Sequence, residues 1–197
     1  MRVVLVWTIS IAVGTMTACG SLWSKRMADG KRWTVRNLDV EIEGSYCYEG
    51  NCRQYGRLYT WESAGRACQS LGQGWRLPTD EDWRNLATLY GDGTAAYRTL
   101  LTGGNSGFGA LLGGGRDLNG QFGRLEAHGF YWTATEDGPA SAVFYNFAKG
   151  KLSLFRQSEG EKSRAFSVRC VKPSSMPFRD RPQATQGRRE VLKSPGR

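Results

Sequence analysis

The 197-residue sequence contains a single histidine, His128. A zinc centre built on three histidines is therefore excluded, and a nucleophile–histidine hydrolase has one candidate base. That base sits in Glu126–Gly129, where a structural turn histidine is the simpler reading. Oxygen ligands for calcium are not excluded by this count. Long apolar runs are also missing. The longest candidate, Val3–Ala18, is interrupted by Thr8, Ser10, Gly14, Thr15 and Thr17, and a spanning helix needs about eighteen apolar residues. A polytopic membrane protein is excluded. The glycine-rich stretches at Gly103–Gly107 and Gly113–Gly115 lack the trailing Gly-Lys-Ser/Thr of a phosphate loop, so close backbone approach is a sufficient reason for them.

What the chain does have is aromatic mass: 7 Trp, 8 Tyr and 8 Phe, enough to anchor a substantial core and to set it apart from low-complexity disorder. The formal charge is +9. Pro173–Arg197, however, holds four of the 6 prolines and a net +4, which leaves +4 for Cys19–Lys172. The folded part is only mildly basic, and nucleic acid is an improbable partner. Residues 173–197 read as a basic, proline-containing disordered tail. At the other end, Met1–Arg2, the apolar Val3–Thr15 and the small Met16-Thr17-Ala18-Cys19 have the layout of a signal peptide. The final four residues resemble a bacterial lipobox with Met in place of the usual Leu. Residues 1–18 are then a lipoprotein signal peptide, Cys19 the lipid anchor, and 19–29 a lipidated N-terminus and short linker. An exported chain held in the cell envelope is expected, with the outer membrane favoured.

Four cysteines remain, Cys47, Cys52, Cys68 and Cys170, an even number in an exported chain. Three pairings are possible. Proximity favours Cys47–Cys52 and leaves Cys68–Cys170. A zinc site using all four thiolates is disfavoured, because Cys68 and Cys170 lack near partners.

Residues 30–172 are expected to form one α+β domain, with helices early and an antiparallel sheet late. Trp33 and Val35 alternate with Arg32, Thr34 and Arg36 as in a strand. Trp61, Ala64, Cys68 and Leu71 mark an amphipathic helix ending at Gly72. Thr79 caps a second helix whose buried stripe is Trp83, Leu86, Ala87 and Tyr90. Its acidic triplet Asp80–Asp82 reads as compensation of the helix dipole in preference to a metal site. Leu100–Phe108 reads as loop, and 130–135, 142–148, 151–155 and 165–171 as strands, with a hairpin turn at Gly150. Trp33, Trp61, Trp75, Trp83 and Trp132 are assigned to the core.

Seven ordered blocks, GKRWTVRNL, SYCY, YGRLYTWESAGRAC, GWRLPTDEDW, GFGALLGGGRD, GFYWTATE and FSVRCV, resemble the Fibrobacter succinogenes major paralogous domain. The resemblance covers Gly30–Val171. It implies a C-type lectin-like fold whose ends meet around a small mixed core, and it agrees with a Cys68–Cys170 bridge from helix to final strand. Longer relatives carry an additional N-terminal hairpin, so the first edge is expected to be less complete here. The Arg-Leu-Pro-Thr, acidic, Trp block also resembles formylglycine-generating enzymes, but the late cysteine pair of that chemistry is absent. The Glu-Pro-Asn or Gln-Pro-Asp loop and the Trp-Asn-Asp strand of calcium-dependent lectins do not occur either.

These readings imply a noncatalytic cell-envelope module that binds glycan or protein, with no cofactor and no resident metal. A structural surface-assembly protein and a carboxylate-dependent enzyme acting on polysaccharide are the alternatives. The enzyme would need a facing pair drawn from Asp117, Glu126, Glu136, Asp137, Glu159 and Glu161. The region expected to contact a ligand is Arg116–Arg124 with Glu136–Arg156, and its recognition groups are Arg116, Asp117, Asn146 and Arg156. Oligomeric state is left open.

Overall fold

The computed structural model describes residues 23–91 and 93–174. The signal peptide, Cys19 and all but the first two residues of the basic tail lie outside them. Within the described part, helices precede most of the sheet and the class is α+β.

Strand β1 (Ser24–Arg26) pairs antiparallel with β2 (Arg32–Thr34) around the Asp29-Gly30 turn. This hairpin lies partly in the stretch expected to be a linker, so the folded part begins ahead of Gly30 and its first edge is paired. Two-residue strands β3 (Ser45–Tyr46) and β4 (Leu58–Tyr59) flank a single helical turn, α1 (Cys52–Tyr55). Helix α2 (Trp61–Gln69) buries Ala64, Ala67 and Cys68 on one side. Helix α3 (Asp80–Leu89) starts from the predicted cap: Thr79 Oγ1 accepts from Asp82 N–H, and the Asp82 carboxylate accepts from Thr79 N–H. This reciprocal box satisfies two otherwise orphaned donors of the helix. Helix α4 (Gly93–Leu100) was not expected. It buries Ala96, Tyr97 and Leu100, one narrow stripe within two turns, and the glycines that follow it had suggested loop from Leu100 on.

The large sheet is ordered β6-β5-β7-β8-β9. Its strands are β5 (Gly113–Arg116), β6 (Phe122–Leu125), β7 (His128–Glu136), β8 (Ser141–Ala148) and β9 (Ser153–Glu161). All its pairs are antiparallel except β5 with β7. The three consecutive glycines expected only to interrupt an apolar stretch are a strand. Gly114 has φ +66°, and a Cβ on it would lie 2.3 Å from Gly123 O, so that no other residue fits between β5 and β6. Between β8 and β9 the predicted Gly150 hairpin is a longer 3-10 turn, Lys149–Lys151, closed by Leu152 at φ 49°.

The expected strand at 165–171 is instead a series of short bridges ending in β10 (Val171–Lys172). Ala165 meets Arg116, Phe166 meets Tyr59, Ser167 meets Tyr131, and Val171 meets both Trp33 and Arg76. One segment therefore joins three sheets. Cys170, just ahead of β10, is bonded to Cys68 on α2 across a separation of 102 residues, and Cys47 is bonded to Cys52. The longer bridge contributes about 4–5 kcal/mol in the chain-entropy account.

Two apolar clusters lie on opposite faces of the large sheet. One packs Trp83, Leu86, Tyr97 and Leu100 of the helices against Tyr131, Tyr145 and Phe147. Trp83 is its hub, with ring centroids 5.2 Å from Tyr145, 5.3 Å from Trp33 and 5.6 Å from both Phe108 and Tyr131. The other packs Ala64, Ala67 and Cys68 of α2 against Trp75, Trp132, Phe166 and Cys170. Four of the five tryptophans assigned to the core are buried. Trp61 is half-buried, donates its indole N–H to Thr133 O at 2.8 Å and lies beneath the Lys162 ammonium.

Candidate ligand-binding cleft

Strand alternation separates the residues of the large sheet into a packed side and a cleft side. Tyr131, Tyr145 and Arg156 point towards α3. Phe130 is cross-strand partner of Asn146, and Phe144 of Gln157, and these four point the other way. The β5–β6 hairpin adds Arg116, Phe122 and Arg124, and the approach to the closing segment adds Arg164 and Phe166. Together they border an open cleft of about 470 Å³, within the roughly 300–1,000 Å³ of ligand-binding sites.

The floor is apolar. Phe166 has its centroid 5.0 Å from Phe130 and 4.9 Å from Phe144. Gly115 permits this packing, because a Cβ there would come within 3.2 Å of both Phe130 and Phe166. His128 stacks on Phe130 with a 5.3 Å centroid separation and is hydrogen-bonded through Nδ1 to Asn146 Oδ1 at 2.9 Å. Asn146 is thereby fixed in orientation, with its Nδ2 donor turned away from His128.

The rim is cationic. The Arg116 guanidinium lies 4.0 Å over the Tyr46 ring and 6.0 Å from Phe122, which in turn stacks on Tyr48. Arg164 is engaged by Glu161 at 2.6 Å and by Asp117 at 3.4 Å. Among the described residues no carboxylate forms an ion pair with Arg116 or with Arg124.

Of the four expected recognition residues, Arg116, Asp117 and Asn146 border the cleft. Arg156 does not. Its Nε donates to both Asp80 oxygens at 2.9 and 3.0 Å on the opposite side of the sheet, because it is the cross-strand partner of Tyr145. Of the candidate carboxylates, Asp117 and Glu161 are brought together on the Arg164 guanidinium, at 3.4 and 2.6 Å. Asp117 alone borders the cleft; Glu126 accepts from Tyr55 Oη, Glu136 pairs with Lys162, and Asp137 accepts from Glu159 N–H. His128, Phe130, Arg164 and Phe166 were not anticipated at the site. The alternation of His128 and Phe130 along β7 was a readable signal, whereas Arg164 and Phe166 arrive through tertiary bridging.

The acidic triplet at the start of α3 is a structural ion-pair centre. Burial pushes the Asp82 carboxyl up, but hydrogen bonds from Arg76, Lys31 and Thr79 N–H outweigh it and hold the pKa well below the ordinary value. Asp80 behaves likewise: burial raises it, and Arg156, Arg84 and Tyr145 bring it below normal. Among the described residues no group of three or more His, Cys, Asp and Glu is placed to hold a metal ion. None of the described helices is long and apolar enough to cross a membrane.

The profile of the Fibrobacter succinogenes major domain matches residues 22–172, and the chain belongs to that family. No curated protein matches it, nor does any solved structure.

Proposed function

We propose that this member of the Fibrobacter succinogenes major domain family is a noncatalytic cell-envelope module that binds a glycan in the cleft beside β5–β8. The observation that carries the reading is the combination of a phenylalanine floor with the oriented Asn146 amide at one open site of about 470 Å³. Aromatic rings offer apolar area to the C–H faces of a sugar at low ordering cost, and an amide supplies both donor and acceptor to hydroxyls. The finer fold assignment, C-type lectin-like, is part of the same proposal. It draws support from the Cys68–Cys170 tie between α2 and the closing segment, and from the pairing of β10 with the opening hairpin.

The proposed location is an envelope surface, with the outer membrane preferred; the sequence around Cys19 and the two disulfides support it. An immobilised-glycan screen on the full chain tests the reading, with Asn146→Ala as the cleft variant and near-ultraviolet circular dichroism as the folding control. Saturable binding that falls at least tenfold in a folded Asn146→Ala protein is expected, which corresponds to about 1.4 kcal/mol. Binding untouched by that substitution would move the site elsewhere.

A further inference from the structure

We propose that the cleft selects glycans carrying a carboxylate, with uronic-acid residues as the chemical class; this inference rests on the glycan-binding reading above. The cleft is bordered by Arg116, Arg124 and Arg164 against Asp117 alone. Asp117 is already turned towards Arg164, and Glu161 forms an ion pair with that same guanidinium. Arg116 and Arg124 are thus the unneutralised charges of the site. This excess is local, because Cys19–Lys172 as a whole carries only +4.

Arg116 is also held in place before any ligand arrives. Its guanidinium rests over Tyr46, and the turn below approaches so closely that a Cβ on Gly120 would lie 2.9 Å from Nη2. A guanidinium fixed against an aromatic face keeps its N–H donors in its own plane, where a planar carboxylate can accept two of them. Little side-chain entropy is left to lose on binding. A neutral sugar would leave these charges with no partner beyond water. A sugar with its carboxylate at the Arg116–Arg124 rim and its ring over the Phe130–Phe144 floor uses both halves of the site.

Titration calorimetry of the full chain with trigalacturonate and with its fully methyl-esterified form tests this, since the ester keeps the rings and removes the charge. The acid should bind at least roughly tenfold more tightly than the ester at low salt. That preference should shrink towards unity in Arg116→Gln and in Arg124→Asn. Asparagine is chosen because residue 124 has φ 62°, a conformation it tolerates. Both variants keep the basic C-terminal residues, so a preference that survives them belongs to that tail and overturns the assignment. Equal affinity for acid and ester, with both lost in Asn146→Ala, would overturn the charge selectivity while leaving the glycan reading intact. Failure of the acid to bind would overturn the uronate assignment, and the glycan screen decides the broader reading separately.

Discussion

Arg169 Nε donates to Asn37 Oδ1 at 2.9 Å in the interior of the protein, where the arginine has no exposed surface. The same guanidinium donates to Thr34 O at 2.9 Å, Phe108 O at 2.7 Å and Gly109 O at 2.5 Å, and lies 4.6 Å from the Phe108 ring. Burial lowers its pKa from the ordinary guanidinium value. The charge is met by carbonyl dipoles and a ring quadrupole, with no carboxylate among its partners.

Removing this cation takes a donor from four acceptors at once, three of them main-chain carbonyls, while Asn37 Oδ1 keeps the Tyr131 hydroxyl at 3.0 Å. Arg169→Met should therefore lower the unfolding free energy by on the order of 3–5 kcal/mol, and Arg169→Lys by less, because the ammonium keeps the charge but reaches fewer carbonyls. Urea unfolding of the two variants checks the order; a midpoint unchanged in Arg169→Met contradicts it.

The two disulfides should differ in worth. Replacing Cys68 and Cys170 with alanine opens a separation of 102 residues and should cost about 4–5 kcal/mol. Replacing Cys47 and Cys52, separated by 5 residues, should cost about 2 kcal/mol. Thermal melts of the two double variants measure the difference directly.

Acid should unfold the protein through α3. Asp80 and Asp82 both have folded-state pKa values depressed from 3.8. Depressed carboxyls contribute stability that is fully present above the unfolded value and lost as pH falls towards the folded one. The loss therefore begins below about pH 4. Asp82→Asn should reduce stability at neutral pH, on the order of 2–3 kcal/mol, and flatten the acid limb of the curve. Chemical denaturation at a series of pH values reads both effects.

These groups mark the boundary of what primary structure discloses. Thr79 and the stripe Trp83, Leu86, Ala87 define α3 by local rules, and cysteine parity with proximity is enough for both bridges. Local rules fail at β5, where glycine reads as loop because a strand of glycines has no periodicity; its reason is the closeness of Gly123 across the hairpin. They fail again at Arg156, whose alternation was visible but whose partner Asp80 is 76 positions away. Three of the four expected cleft residues lie at one site, Asn146 on a strand that alternation disclosed and Arg116 and Asp117 at the end of β5, a strand that it did not. Phe166 and Arg164 reach it only through the bridging of the closing segment.

The anchor proposed at Cys19, outside the described residues, predicts incorporation of labelled palmitate into the full chain in a bacterial host. Cys19→Ser should abolish the label and release the protein from the membrane fraction. Equal labelling of the two proteins would remove the anchor.

The segment from Ala165 to Lys172 also governs the order of assembly. Its bridges to Trp33, Tyr59, Arg76, Arg116 and Tyr131 reach partners spread over residues 33–131, and contacts of such long range form slowly. A chain emerging N-terminus first can make its helices and the β7–β9 meander early, yet a gap stays open along its middle until the last strand slides in. Docking of the closing segment is thus the expected late step, and exposure of the unfinished protein to proteases should be greatest before it.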